Sequence, residues 1–101
     1  MKVTQLNIDA NGTIKVAGAL TFATVNQLWQ QSKALLSPKT AALRFDLQDV
    51  SQSDSAGVAL LIAWMRAAQQ QKKSIHFTQA PQQMRAIVRV SSLEKILPIE
   101  N

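Results

Sequence analysis

The chain has no cysteine and no tyrosine, only three glycines and three prolines, and six acidic residues against eleven basic ones. Each shortage closes off some chemistry. Without cysteine there is no disulfide, no thiol nucleophile and no thiolate metal site. The glycines, at positions 12, 18 and 57, are too far apart to build a phosphate-cradling loop, so ATP hydrolysis by this chain alone is not expected. The one histidine, His76, sits between Ile75 and Phe77 with no second histidine to join it in a metal or catalytic site. An outward-facing strand position is the simpler reading. Asp46 and Asp49 have the spacing of paired carboxylates, but nothing beside them supplies a nucleophile or tunes an acid and a base. Long apolar runs are missing too: the longest, residues 56–65, is about half of the ~20 needed to span a bilayer. The polar start Met1-Lys2-Val3-Thr4-Gln5 lacks the apolar region of a secretory signal. A cytoplasmic protein without enzymatic activity, metal or cofactor is expected.

What is present fits one compact domain over residues 1–101: 47% of the residues are hydrophobic and 17% are charged. The net charge is +5, but the basic residues are spread from Lys2 to Lys95 instead of forming a stripe interleaved with aromatics. Nucleic-acid binding is therefore not expected. A basic face toward an acidic protein or anionic lipid headgroups fits the charge equally well.

Periodicity gives the elements. Leu6 and Ile8, then Ile14 and Val16, alternate with polar residues on either side of Asn11-Gly12, which predicts an antiparallel hairpin over about residues 3–18, ended by Gly18. Val25, Leu28, Trp29 and Ser32 fall on one helical stripe, predicting a helix from Phe22 to Leu36 stopped by Ser37-Pro38. Leu43, Phe45 and Leu47 mark a strand that runs into a short polar turn. A long helix follows from Ser55 or Ala56 to about Lys72, with basic residues in its last turn. Ser74 to Thr78 is a short strand, Pro81 opens another helix at its first position, and Ser92 to Leu97 forms a last short helix closed by Pro98. The order ββαβαβαα predicts an α/β sandwich: a mixed sheet of about four strands with helices packed on it.

The richest segment is Asp54-Ser55-Ala56-Gly57, which opens the long apolar helix. In one reading it is a helix cap, with Asp54 or Ser55 accepting from unpaired N–H groups and Gly57 permitting close packing. In the other, Ser55 marks a regulatory or docking surface at the positive end of a helix, where a phosphate would be favoured. The helix behind it carries two apolar stripes, Val58, Leu61, Ile62 and Met65, and Leu60, Trp64, Ala67 and Ala68. One stripe suffices for a helix on a sheet. The second implies either burial between neighbours or a partner surface formed by Ala59, Ala63, Trp64 or Ala67, with Arg66 as a rim contact.

The hairpin, Gly18, residues 46–61, Pro81 and Val90-Ser91-Ser92-Leu93 together resemble the STAS family, the sulfate-transporter and anti-sigma-factor-antagonist domains. The resemblance implies a STAS fold with a partner-binding site at the Asp-Ser turn. In antagonists of that family the serine after the aspartate is phosphorylated, which corresponds to Ser55. Such antagonists usually read Gly-Glu-Leu-Asp where this chain reads Gly18-Ala19-Leu20-Thr21, and the loss of both acids argues against presentation to a kinase. Leu28-Trp29 is similar to the Leu-Trp of STAS subunits in Mla-type ABC transporters, which maintain outer-membrane lipid asymmetry. Read without the resemblance, Trp29 is a core aromatic.

The leading expectation is thus a STAS subunit that binds and regulates or stabilises the transporter's ATPase and reaches the permease at the inner membrane through it. Its partner-binding residues would be Asp54, Ser55, Ala56, Gly57, Ala59, Ala63, Trp64 and Arg66. The rival is an antagonist bound by an anti-sigma kinase and regulated at Ser55. A third class is a small-molecule or lipid-binding domain with a large apolar cavity.

Overall fold

The computed structural model describes residues 4–35 and 42–100. The chain opens with a hairpin: β1 (Gln5–Ile8) runs antiparallel to β2 (Ile14–Leu20), with Leu6 opposite Val16 and Ile8 opposite Ile14. The Asn11-Gly12 signal falls in the connection, which Asp9 organises. Its Oδ1 accepts from the N–H groups of Asn11 (2.8 Å) and Thr13 (3.0 Å), the local bonding that makes aspartate a turn residue.

β3 (Ala42–Ser53), β4 (Ser74–Thr78) and β5 (Ile99–Glu100) then add in parallel, giving one mixed sheet in the order β1-β2-β3-β4-β5. The connecting helices are α1 (Val25–Leu35), α2 (Ser55–Gln70) and α3 (Gln82–Val90). Strand alternation decides the layering. Ile14, Val16, Leu20, Leu43, Phe45, Leu47, Ile75 and Phe77 are all buried, while Lys15 and Arg44 between them are exposed. The helices therefore cover one face of the sheet and leave the other open to solvent.

α2 lies between α1 and α3 and also packs on β3 and β4. That position explains its two stripes: Val58, Leu61 and Met65 are buried, and so are Leu60, Trp64 and Ala68. At the centre, Trp64 stacks on Phe45 with ring centroids 4.4 Å apart, and Phe77 closes the cluster 5.5 Å from Phe45.

Several elements differ from the sequence-based expectation. Gly18 does not end β2; it bends it. It sits at φ +93° beside a register shift, and a Cβ there would lie 2.7 Å from the Thr4 Cα. The polar stretch after Leu47 is not a turn: β3 continues through it, with Val50 and Ser53 buried and Ser51 and Gln52 exposed. Asp46 and Asp49 consequently lie within a strand. α2 stops at Gln70, and Lys72, at φ +58°, turns the chain away, so the basic residues fall beyond its last turn. Pro81 is the cap residue of α3 and not its first helical residue.

The segment from Ser92 to Leu97 forms turns in place of a helix, and β5 follows it, so among the described residues the order is ββαβαβαβ with five strands. β5 is two residues long, too short to show any period in the sequence. His76, half-buried on β4, has an acid beside it: its Nδ1 lies 3.0 Å from Glu100 Oε1 on β5. The expected hairpin start at Val3, helix end at Leu36 and Ser37-Pro38 stop lie outside the described residues.

Candidate functional site

Asp54 joins three pieces of chain at the end of β3. Its backbone is extended, as a cap residue requires, and its Oδ1 accepts from the N–H groups of Ala56 (2.9 Å) and Gly57 (3.2 Å). Its Oδ2 reaches across to accept from the Phe22 N–H at 3.1 Å, and its own N–H donates to the Leu20 carbonyl at 3.2 Å. The start of α2 is thus tied to the loop between β2 and α1. These bonds favour the charged carboxylate and hold its pKa below the ordinary value of 3.8. The Phe22 N–H has the largest effect and the two cap bonds add to it against partial desolvation.

The loop is fixed from its other side by Thr24. The Thr24 hydroxyl accepts from the Thr21 N–H at 3.0 Å and donates to the Ala19 carbonyl at 2.7 Å. Gly57 allows the close approach that this geometry needs. A Cβ at position 57 would come 2.5 Å from the Leu20 carbonyl oxygen and 2.6 Å from Ser53 Oγ. On the far side, the Ser53 N–H donates to Gln83 Oε1 at 3.1 Å, which holds α3 to the same strand end.

With the loop tied down at both ends, Phe22 stands outward, 85% exposed. It forms one end of an open groove of about 400 Å³ between α1 and α2. α1 contributes Val25, Asn26 and Trp29; α2 contributes Ala56, Ala59, Leu60 and Ala63. Small alanines on one wall and aromatics on the other make the depression, and exposed Ser55 directly precedes Ala56 of its lining.

The expected site residues separate on burial. Ser55, Ala59 and Arg66 are exposed, and Asp54, Ala56 and Ala63 are half-buried. Arg66 follows Ala59 by seven positions and so shares its side of α2. Gly57 is buried against Leu20 and shapes the surface without presenting one. Trp64 has no exposed surface, which corrects its expected role as a partner contact: it belongs to the aromatic core, and α2 turns it toward the sheet. Trp29 is the tryptophan that reaches the surface. It packs partly on the core and partly lines the groove, and is not simply an internal anchor.

The helix N-terminus also differs from the expectation of a vacant anion seat. The Ala56 and Gly57 N–H groups, which a phosphate would use, already bind the Asp54 carboxylate. Phe22, Val25 and Asn26 are not among the site residues expected from the sequence. Phe22 lies two residues past the end of β2, and only the three-dimensional link to Asp54 reveals its position.

A hairpin feeding a parallel sheet, helices on one face, and an aspartate-capped Asp-Ser turn opening the central helix define a STAS domain. Solved structures of anti-sigma factor antagonists share the fold. The anti-sigma factor antagonist SpoIIAA in its unphosphorylated form superposes with a TM-score of 0.72 at 18% identity, covering 98% of this chain and 89% of that one. An anti-sigma factor antagonist from Mycobacterium paratuberculosis gives a TM-score of 0.74 at 22% identity, covering 96% and 83%.

Sequence comparison is more specific. The family model described as "Mlab, STAS domain" matches residues 5–98, and the chain belongs to that family. It is also 31% identical over 75 residues to the intermembrane phospholipid transport system binding protein MlaB of Haemophilus influenzae, covering 71% of each chain.

Proposed function

We propose that this chain is a non-enzymatic subunit of an Mla-type phospholipid ABC transporter, and that it docks on the ATPase and stabilises its active, assembled form. The groove between α1 and α2 carries this reading. Phe22, 85% exposed, adjoins Val25, Trp29, Ala59, Leu60 and Ala63 in one contiguous apolar depression of the kind that marks a partner surface, and backbone N–H bonds hold its segment of chain beside the start of α2. The similarity to the MlaB of Haemophilus influenzae supports the choice of partner. Regulation would be differential binding: the domain favours whichever ATPase conformation offers the better fit to the groove.

The rival, a partner-switching antagonist phosphorylated on Ser55, has support in the fold shared with SpoIIAA. One feature weighs against it: Ala19, near the end of β2, and Thr21, just beyond it, stand where antagonists carry acids.

The test is affinity co-purification from the native cell with wild-type and Ser55→Glu baits. Recovery of an ABC ATPase with wild type, and its loss with Ser55→Glu, is the expected result. Recovery of a small kinase-fold protein, with phosphate on Ser55, would establish the antagonist instead.

A further inference from the structure

The outward side of α3 has no part in the groove and shows a different chemistry. Met84 and Val88 are buried beneath it. Arg85 and Arg89, four residues apart, stack in one exposed row. Ala86 and Val90 form the adjoining row, also exposed. The two arginines line two neighbouring clefts, one completed by Glu94, Leu97 and Ile99, so the turns after α3 lie beside the same row. Those turns add exposed Lys95 and leave Ile96 56% exposed, while Val90 is 85% exposed. Glu94 is the one acid lining these clefts, and neither guanidinium is ion-paired among the described residues.

We infer that this corner of α3 is a contact for an anionic phospholipid surface. Outward apolar side chains flanked by unpaired basic ones are what an interfacial helix presents, the cations meeting headgroup phosphates and the aliphatics entering the acyl boundary. A soluble phosphate would use the guanidiniums but would leave Val90 and Ile96 in water. α2 separates α1 from α3, so the corner and the groove can be occupied together. The inference does not depend on which partner fills the groove.

The experiment is co-sedimentation of the full chain with vesicles of phosphatidylcholine alone and of phosphatidylcholine mixed with phosphatidylglycerol. Wild type should pellet with the mixed vesicles and stay in solution with the neutral ones, and added salt should weaken the binding. An Arg85→Gln/Arg89→Gln double variant should lose on the order of thirtyfold in partitioning. Val90→Ser, which leaves both arginines and the net charge unchanged, should weaken binding as well.

Lys15→Gln/Arg44→Gln, which removes the same charge from the open sheet face, should bind as wild type does. Circular dichroism on each variant checks that it is folded. Failure of wild type to pellet would overturn the inference, and so would equal loss in the sheet-face control, which would reduce the effect to net charge. Calorimetric binding of inorganic pyrophosphate, lost in the arginine variant while vesicles are ignored, would make the cleft a soluble-phosphate site instead.

Discussion

The Asp54 carboxylate and the Phe22 N–H, 32 residues apart in sequence, meet at 3.1 Å. One side chain therefore caps α2 and also fixes the loop that carries the exposed aromatic. Asparagine separates these two jobs, because its carbonyl oxygen can still accept from Ala56 and Gly57 while its amide turns a donor toward the Phe22 N–H. Asp54→Asn should keep most of the helix cap but release the loop. Hydrogen exchange should then show faster exchange at the Phe22 amide, with the amides of mid-α2 unchanged.

Acid should act on the same bond. The folded-state pKa of Asp54 lies below its ordinary 3.8, so its contribution to stability is fully present above that value and is lost as pH falls through the lower folded pKa. A thermal-melt series in acid should show wild type losing stability below about pH 4 more steeply than Asp54→Asn. Parallel acid limbs for the two proteins would mean that the carboxylate carries no folding linkage.

Gly57→Ala sets two effects against each other. Alanine improves helix propensity by about 1 kcal/mol. Against that, the new methyl would lie 2.5 Å from the Leu20 carbonyl oxygen, which is strand backbone and cannot yield alone. Overpacking of this kind costs about 1–3 kcal/mol. The clash should win, lowering the denaturant midpoint and loosening the bonds from Asp54 to the loop. A midpoint at or above that of wild type would show that β2 gives way easily.

Elements with a strong period were legible in the sequence, and those without one were not. The hairpin, the Leu43-Phe45-Leu47 face and the start of α2 at Ser55 stood out because alternation, a turn dipeptide and a cap each act locally. β5 was hidden because its two residues pair with β4 only through tertiary contact, with the Phe77 N–H donating to the Pro98 carbonyl at 3.0 Å. At the site, Asp54 and Ser55 could be read from the cap motif. Phe22 could not, since its placement depends on a bond to a residue in another part of the chain. The two tryptophans could not be told apart by composition: α2 faces the sheet at Trp64, and α1 meets α2 at Trp29.

Trp64 should accordingly behave as a core residue. Trp64→Ala would empty the space stacked on Phe45 and should cost about 3–5 kcal/mol. Trp64→Phe should cost much less, because the indole Nε1 is buried with no hydrogen-bond partner among the described residues and no such bond is lost with it. Urea denaturation of the two variants checks this. Similar losses for both would mean that the indole N–H makes a bond in solution.

Phe22→Ala should do the opposite and reduce binding without reducing stability. The ring is 85% exposed, so truncating it removes almost no buried surface and should leave the melting curve within about 0.5 kcal/mol of wild type. The backbone bond to Asp54 survives, since it uses the Phe22 N–H and not the side chain. In the docked complex the same ring would be covered, and removing an aromatic that the partner fully desolvates commonly costs about 2 kcal/mol, or some thirtyfold in affinity. Titration of the purified ATPase partner against Phe22→Ala should therefore show the weakened Kd with an unchanged melt. Lys15→Gln, on the open sheet face, should change neither. If Phe22→Ala binds as wild type does while Ser55→Glu fails, the partner covers the start of α2 and leaves the groove uncovered.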